Sequence, residues 1–164
     1  MADFVHLHVH SDFSLLDGLG KVKDMTQAAA DLGMPALALT DHGVMFGCLH
    51  FYHAAKKAGI KPILGCEIYL SPREMTMKEA NQDARTTHLV LLAENETGYK
   101  NLMQIATAAQ LEGFYYRPRI DRQYLSAHAE GLIALSACPS GEIARGFLQN
   151  RADQARTAAL WYRD

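Results

Sequence analysis

Several features typical of other protein classes are missing from this sequence, and each absence narrows what the chain can be. Only three of its 164 residues are cysteine, and their irregular spacing argues against a disulfide framework and for a reducing compartment. No apolar run approaches the ~18 residues that suggest a membrane span. The first residues have neither a basic flank nor an apolar run, so we expect no signal peptide, no membrane partner and a cytoplasmic location.

The chain also lacks an excess of basic residues. Lys and Arg number 16 and Asp and Glu number 18, which leaves a formal charge of −2. Domains whose main role is to bind nucleic acid are usually basic, so we do not expect this segment to be the main electrostatic contact to DNA. The composition, 49% hydrophobic and 21% charged, is typical of a globular domain with one core.

What the sequence does contain is a histidine-rich stretch at residues 4–18, FVHLHVHSDFSLLDG. His6, His8 and His10 alternate with apolar residues, and this period of two predicts a strand with three imidazoles on one face. Buried imidazoles need polar partners, and neutral imidazole is the commonest protein ligand for metals. Asp17 lies at a turn that can return a carboxylate to the same place. A strand with one or two hydrogen-bonded histidines is the alternative interpretation.

The rest of the chain alternates between helical and strand patterns, which indicates an α/β protein with a largely parallel sheet. Helices are predicted at 21–32, 46–58, 98–110, 142–149 and 152–162, and further strands at 36–39, 62–70, 88–93 and 132–135. Gly33 and Gly59 stand where helix C-terminal glycines belong. No closing strand follows the last helix, and a complete β/α barrel takes ~250 residues, so we expect part of a longer protein.

Polar residues fall near the predicted strand ends, where sites form in barrels and open sheets. Asp41 and His42 follow the strand at 36–39, and Glu67 lies late in the next strand. His88 opens its strand, so it reaches Glu67 only if that strand runs antiparallel to the one before it. Together, histidine nitrogens, carboxylate oxygens and a cysteine thiolate form a set of ligand atoms that can bind zinc, manganese or iron. The candidate metal ligands are His8, His10, Asp17, His42, Glu67, His88 and Cys138.

Asp41 and Arg119 are candidates for direct roles in catalysis. Asp41 can equally cap the helix that follows it. Arg119 can clamp a phosphate together with Arg117, although a surface role fits both arginines as well. Each candidate ligand also has a purely structural interpretation, and Cys138 can be a small buried residue.

The other histidines and cysteines have simpler explanations. His50 and His53 lie three apart on a predicted helix, where a solvated helix face is several times more common than a second site. Cys48 and Cys66 look like packing residues, because strand alternation turns Cys66 away from Glu67.

Six stretches of the chain together resemble one family. In order they are HLHVHSDFSLLDG, ALTDHG, GCEIYL, THLVLLA, GFYYRPRID and GLIALSAC, and they resemble the polymerase-and-histidinol-phosphatase (PHP) domain at the N-terminus of bacterial replicative DNA polymerases, the DNA polymerase III alpha subunits. The His-x-His and Asp-His-Gly elements are shared by the wider phosphoesterase superfamily, whereas SLLDG and GFYYRPRID resemble the polymerase branch. The resemblance covers essentially all of residues 1–164, as one partial PHP domain.

This resemblance implies a fold, a metal centre and a function. The fold would be a distorted seven-stranded β/α barrel, similar to a TIM barrel and incomplete at its C-terminus. A complete domain would hold up to three divalent ions, zinc or manganese, on the candidate ligands and on a late Asn-Asp-x-His motif that this sequence does not contain. The implied activity is metal-dependent phosphoester hydrolysis, as a 3′–5′ proofreading exonuclease. DNA polymerisation with magnesium would take place elsewhere in the protein, and the implied partners are primer–template DNA, a separate proofreading exonuclease and the sliding clamp.

Two other functions stay open from the sequence. A free-standing phosphoesterase, such as a histidinol-phosphatase, would share the metals and act on a small molecule. A structural module would use the metals to hold the fold together, since metal binding can contribute to folding, and would present a docking surface for a separate proofreading exonuclease.

Overall fold

A computed structural model describes residues 4–163 of the chain. The strands are β1 Ala36–Leu39, β2 Lys61–Leu70, β3 Thr87–Ala93, β4 Arg119–Ile120 and β5 Leu132–Leu135. The helices are α1 Val22–Asp31, α2 Cys48–Ala58, α3 Ala80–Asp83, α4 Glu96–Leu111, α5 Arg122–Ala127, α6 Glu142–Leu148 and α7 Ala152–Arg163. The predicted α/β class and every predicted helix are confirmed, and β4, α3 and α5 are additional short elements. Within residues 4–163, no helix is long and apolar enough to cross a membrane.

One mixed sheet of five strands organises the fold. The central strand β2 pairs in parallel with β1 and β4 and antiparallel with β3, and β5 pairs antiparallel with β3. The prediction of a largely parallel sheet is therefore only half correct. Residues 71–86 join β2 to β3 without a long helix, and such a connection suits an antiparallel pair, because a parallel neighbour needs a crossover. With five strands in the described residues, the predicted seven-stranded barrel is incomplete here.

The segment predicted as the first strand runs beside β1 but does not form a strand. The Ala38 N–H donates to the His6 carbonyl, and the Thr40 N–H donates to the Val9 carbonyl. From one bond to the next there are three residue steps along the segment, from His6 to Val9, but only two along its neighbour, from Ala38 to Thr40. The segment therefore contains one extra residue, as in a β-bulge, and its side chains no longer alternate regularly between two faces. His6 is exposed and contacts Phe4 edge-on. The prediction that three imidazoles share one face is therefore wrong for His6.

Two apolar clusters support the elements that carry the site. One lies between the sheet and α4, where Leu102 and Ile105 are fully buried. The other lies between β1, α1 and α2, where Leu39 and Phe51 are fully buried. Helix α2 ends at Gly59, which has a φ of +78°, a left-handed conformation that glycine adopts without strain. The strand ends are therefore held in place by packing from both sides.

The first turn of α4 packs tightly against the loop before β5, and this contact leads to a stability prediction. Alanine in place of glycine ordinarily favours a helix by about 1 kcal/mol. A Cβ on Gly98, however, would overlap the backbone carbonyl of Gly131, which accepts a hydrogen bond from the Glu94 N–H. We expect Gly98→Ala to lower the free energy of unfolding by about 1–3 kcal/mol, measured by urea denaturation.

The exposed neighbour Thr97 provides the matched control for this prediction. Thr97→Ala should change the free energy of unfolding by less than about 0.5 kcal/mol. A Gly98→Ala variant as stable as the native protein would show that α4 can move away from Gly131 at no cost.

Candidate metal centre

The carboxylate of Glu67 lies at the centre of the site. Glu67 is 1% exposed, and four histidine rings surround it. Its Oε2 contacts His8 Nε2 and lies 3.3 Å from His10 Nε2. Its Oε1 contacts His88 Nδ1 and lies 3.4 Å from His42 Nδ1. One carboxylate thus joins four of the predicted ligands.

The pairing of the strands explains this convergence. A parallel bridge between His42 and Glu67 extends the pairing of β1 with β2. On the other side of β2, Tyr69 is the register partner of His88 in the antiparallel strand β3. Glu67 and Tyr69 lie on the same face of β2 because they are two residues apart, so His88 lies diagonally across from Glu67. The hypothesis that an antiparallel strand brings His88 beside Glu67 is confirmed.

The hydrogen bonds of His10 orient its ring. The Nδ1 atom lies 2.8 Å from the Thr40 carbonyl oxygen, and because a carbonyl only accepts, we assign the proton to Nδ1. The Nε2 atom is then free to bind a cation, and metal-binding histidines are commonly oriented by such a bond. The hydrogen bond with Glu67 raises the pKa of His10, although burial opposes this shift. Without a metal, the Glu67 carboxylate therefore favours a proton on Nε2, at the position that a cation would fill.

The charge and pairing of Glu67 also fit a cation. Burial opposes ionisation, but His10, His8 and His88 hold the pKa of the Glu67 carboxyl far below its usual range, so the carboxylate is negative. Among the described residues, His42 Nδ1 is a buried side-chain nitrogen without a hydrogen-bond partner, whereas Glu67 Oε1 contacts His88 Nδ1. Buried polar atoms rarely stay unpaired.

The other ring nitrogen of His42 explains why its Nδ1 atom stays unpaired. Its Nε2–H donates to Asp17 Oδ2 at 2.9 Å, so Nδ1 carries a lone pair. That lone pair faces the lone pairs of Glu67 Oε1 at 3.4 Å. Two acceptors in this arrangement need a positive charge between or beside them, and a divalent cation meets this need.

The ligand atoms form three overlapping groups, and within each group they all lie within 4.8 Å of one another. The groups are His8, His10 and Glu67; His10, Asp17 and His42; and His42, Glu67 and His88. Glu67 belongs to the first and the third group, and a carboxylate can bridge two metal ions through its two oxygens. The residues present therefore fit one or more divalent cations.

Asp17 and Cys138 lie at the edges of this cluster. Asp17 is 54% exposed on its side chain. Cys138 Sγ lies 3.7 Å from His88 Nδ1 and accepts a hydrogen bond from the Ser140 N–H. All seven predicted ligands thus lie in one continuous set of contacts, although Cys138 belongs to none of the three close groups in the described residues. Their role as ligands stays a prediction.

Asp41 lies next to the cluster but faces the turn at residues 11–14. Its buried carboxylate accepts hydrogen bonds from the Ser11 N–H, the Ser11 hydroxyl and the Ser14 hydroxyl. The Ser14 hydroxyl in turn accepts from the His42 N–H. Asp41 does not cap α2, whose N-terminus has no side-chain cap. We therefore regard it as a positioning residue for this turn and for His42.

Arg119 does not lie in the site, and the structure gives the physical reason. The residue is 0% exposed. Its guanidinium donates to the backbone carbonyls of Gly113, Asp83, Met75 and Met77. Four of its five N–H donors are used in this way, and the buried side chain is closed off from any phosphate in solvent. We infer that Arg119 holds the 71–86 loop in place. This corrects the prediction that Arg119 is a catalytic residue.

Arg117 and its aromatic neighbours, in contrast, line a cleft of about 470 Å³ beside the cluster. Arg117 donates to the Tyr69 hydroxyl at 2.9 Å and lies over the Tyr69 ring. Tyr69 contacts the rings of His42 and His88. Tyr116 has a φ of +59°, which is strained for a bulky residue. The sequence analysis missed Tyr69, although its position two residues after Glu67 places it on the same strand face.

The buried cysteines behave as predicted. Burial raises the pKa of Cys48 to about 12 and also raises the pKa of Cys66, so both remain thiols rather than metal-binding thiolates. Cys66 packs in the apolar cluster under α4. Neither thiol lies in the three ligand groups.

The mixed sheet and the histidines around one buried carboxylate define an α/β domain with a candidate metal centre. The PHP domain family matches residues 6–164, and the chain belongs to that family. It is 50% identical over 161 residues to the DNA polymerase III subunit alpha of Borreliella burgdorferi and 49% identical over 161 residues to that of Treponema pallidum. Each alignment covers 98% of this chain and 14% of the relative.

Another polymerase relative and one solved structure are also similar to this chain. The DNA polymerase III subunit alpha of Chlamydia trachomatis is 45% identical over 162 residues, which is 98% of this chain and 13% of the relative. A solved amidohydrolase from Chromobacterium violaceum aligns with 65% of this chain and 34% of its own, with 28% identity and a TM-score of 0.44. That score is low, so the fold described above rests on the strand pairings alone. The chain spans about one seventh of the length of these polymerase relatives.

Proposed function

We propose that this domain hydrolyses phosphoesters at a cluster of divalent metal ions and acts as a 3′–5′ exonuclease within a replicative DNA polymerase. The observation that carries the proposal is the overlap of three ligand groups at Glu67, His10 and His42. Bound metals at such a site lower the pKa of a water molecule and stabilise charge on phosphoryl oxygens. The nitrogen and carboxylate donors favour zinc or manganese.

The residues of the chain have separate tasks in this proposal. His8, His10, His42, His88 and Glu67 hold the ions, with Asp17 and Cys138 as ligands at the edges. Glu67 keeps its negative charge in the buried site, and as a member of two of the three ligand groups it can contribute that charge to more than one metal position.

Arg117 is proposed to bind the phosphate of the substrate. Among residues 4–163, the Arg117 guanidinium donates one hydrogen bond, to the Tyr69 hydroxyl, and guanidinium groups bind phosphate through paired N–H donors. Because Tyr69 contacts both His42 and His88, it holds the guanidinium beside the cluster. A phosphate bound there would meet both the metals and a fixed positive charge.

The names of the relatives extend the proposal to the protein that carries the domain. We propose that this protein polymerises DNA with magnesium in regions outside these residues. Its partners would be primer–template DNA, a proofreading exonuclease subunit and the sliding clamp. A role of the domain as a docking scaffold for that exonuclease is the second candidate, because a metal cluster that joins five segments of the chain can also stabilise the fold.

Replacing His8 and His10 together by alanine tests the proposed function. We expect metal-dependent hydrolysis of bis(p-nitrophenyl) phosphate by the intact protein to fall at least about 100-fold, because two of the three ligands in one group are lost. Metal content would be measured by mass spectrometry of the protein after dialysis.

His128→Ala is the control for this double variant. The His128 ring stacks on Tyr124 and bonds to its carbonyl oxygen, so metal content and hydrolysis should not change. Unchanged hydrolysis in the double variant would contradict the assigned site. If the metal-loaded native protein shows no hydrolysis and a chelator unfolds it, the scaffold role is favoured instead.

A further inference from the structure

A second groove lies between α1 and α2, on residues for which the sequence analysis found no role. Its volume is about 700 Å³, compared with about 470 Å³ for the cleft beside the metal cluster. Five of its lining residues have basic side chains: Lys21, Lys23, His50, His53 and Lys57. Asp12 is the only carboxylate that lines it within the described residues.

The charge of this groove is concentrated and unpaired. The chain as a whole has a formal charge of −2, yet three of its seven lysines line this one groove. All three are exposed, and none of them forms an ion pair with any residue between 4 and 163. Like charges collected in one concave surface create a positive potential that attracts anions. The groove therefore favours an anionic ligand.

Phe13 joins the groove to the cleft beside the metal cluster, because it lines both of them. Its ring stacks with that of His50, with centroids 6.0 Å apart and planes 13° apart. Phe13 belongs to the turn that Asp41 holds through its hydrogen bonds to Ser11 and Ser14. A long anionic ligand can thus extend from the metal cleft past a fixed aromatic ring to the lysines.

We propose that this groove binds the phosphodiester backbone of a single-stranded nucleic acid whose 3′ end lies in the metal cleft. The inference rests on the proposed function and adds the path of the substrate. Single-strand sites combine a positive groove for the backbone with aromatic rings on which bases stack; here three lysines line the groove, and Phe13, packed on His50 and the apolar cluster of α1 and α2, is its one such ring within the described residues. An acidic peptide could form ion pairs with the lysines, but it has no bases to stack on Phe13 between the groove and the metal cleft.

Lysine labelling of the intact protein tests this inference directly. The protein is reductively methylated with its metals in place, with and without an oligothymidylate whose phosphorothioate linkages resist hydrolysis. We expect the oligonucleotide to lower the labelling of Lys21, Lys23 and Lys57 at least about threefold, because each would pair with a phosphate. Lys56 and Lys78 are exposed but do not line the groove, so their labelling should not change.

A charge-reversal variant tests the functional consequence. In Lys23→Glu/Lys57→Glu, the ratio of oligonucleotide hydrolysis to bis(p-nitrophenyl) phosphate hydrolysis should fall at least about 10-fold, and in Lys56→Glu/Lys78→Glu it should stay as in the native protein. Equal labelling with and without oligothymidylate would overturn the inference. Protection by polyglutamate but not by oligothymidylate would also overturn it, in favour of an acidic protein segment.

The labelling result also separates this inference from the proposed function. If the native protein hydrolyses neither substrate, the proposed function fails. Selective protection of the three groove lysines would still support a nucleic-acid groove, and its absence would still refute one.

Discussion

A Glu67→Gln variant is expected to bind its metal ions at least about 100-fold more weakly than the native protein. Glutamine has nearly the shape of glutamate, so the variant removes the negative charge and leaves the packing in place. Glu67 belongs to two of the three ligand groups, and its two oxygens contact or approach four histidine rings. Loss of this charge should therefore weaken more than one metal position at once.

Competition with a fluorescent chelator would measure this affinity, and hydrolysis of bis(p-nitrophenyl) phosphate should fall in parallel. Glu112→Gln provides the matched control, because Glu112 is exposed beyond the end of α4 and lies in none of the ligand groups. If Glu67→Gln binds metal as tightly as the native protein, the histidines hold the ions without it, and Glu67 is not the centre of the site.

An Arg119→Met variant is expected to lower the free energy of unfolding by about 3–5 kcal/mol. Methionine fills most of the space that the arginine stem occupies, so the loss comes mainly from the guanidinium. Four backbone carbonyls, of Gly113, Asp83, Met75 and Met77, lose their donor. Buried acceptors without a partner each cost about 1–3 kcal/mol when they cannot reach water, and these four lie around one side chain that is 0% exposed.

Chemical denaturation measures this change, with Arg85→Ala as the control. Arg85 is exposed at the end of the same loop, and its replacement should change the free energy of unfolding by less than about 0.5 kcal/mol. A loss below about 1 kcal/mol for Arg119→Met would show that other contacts hold the loop, such as the paired hydrogen bonds of Arg73 with Asp83. The structural role assigned to Arg119 would then be wrong.

The local elements could be predicted because their causes are local. The helix at α1 follows from apolar residues at helical spacing, and Gly33 and Gly59 end their helices with φ of +74° and +78°. The strand at 36–39 is confirmed in full because a short apolar run between helices is typical of a buried strand. The segment at 4–10 was predicted less well, since its bulge depends on how it meets β1 and the alternation alone does not show this.

The candidate ligands could be named from residue types, but their arrangement could not. Polar residues at strand ends pointed to His8, His10, His42 and Glu67 because such ends meet at one edge of a sheet. The close contact of His88 with Glu67 required an antiparallel strand, which the sequence allowed only as a hypothesis.

The sequence by itself determined five of the seven described helices, most of the strands and the residue types of a candidate metal centre, because side-chain periodicity and ligand chemistry act over a few neighbouring residues. Only the tertiary structure separated Arg117 from Arg119, which are two residues apart with Pro118 between them. The pairing of β4 with β2 buries Arg119 among backbone carbonyls, whereas the turn at Tyr116 leaves Arg117 on the cleft. That difference depends on which strand lies alongside, and a strand's neighbours are decided by packing across the whole fold.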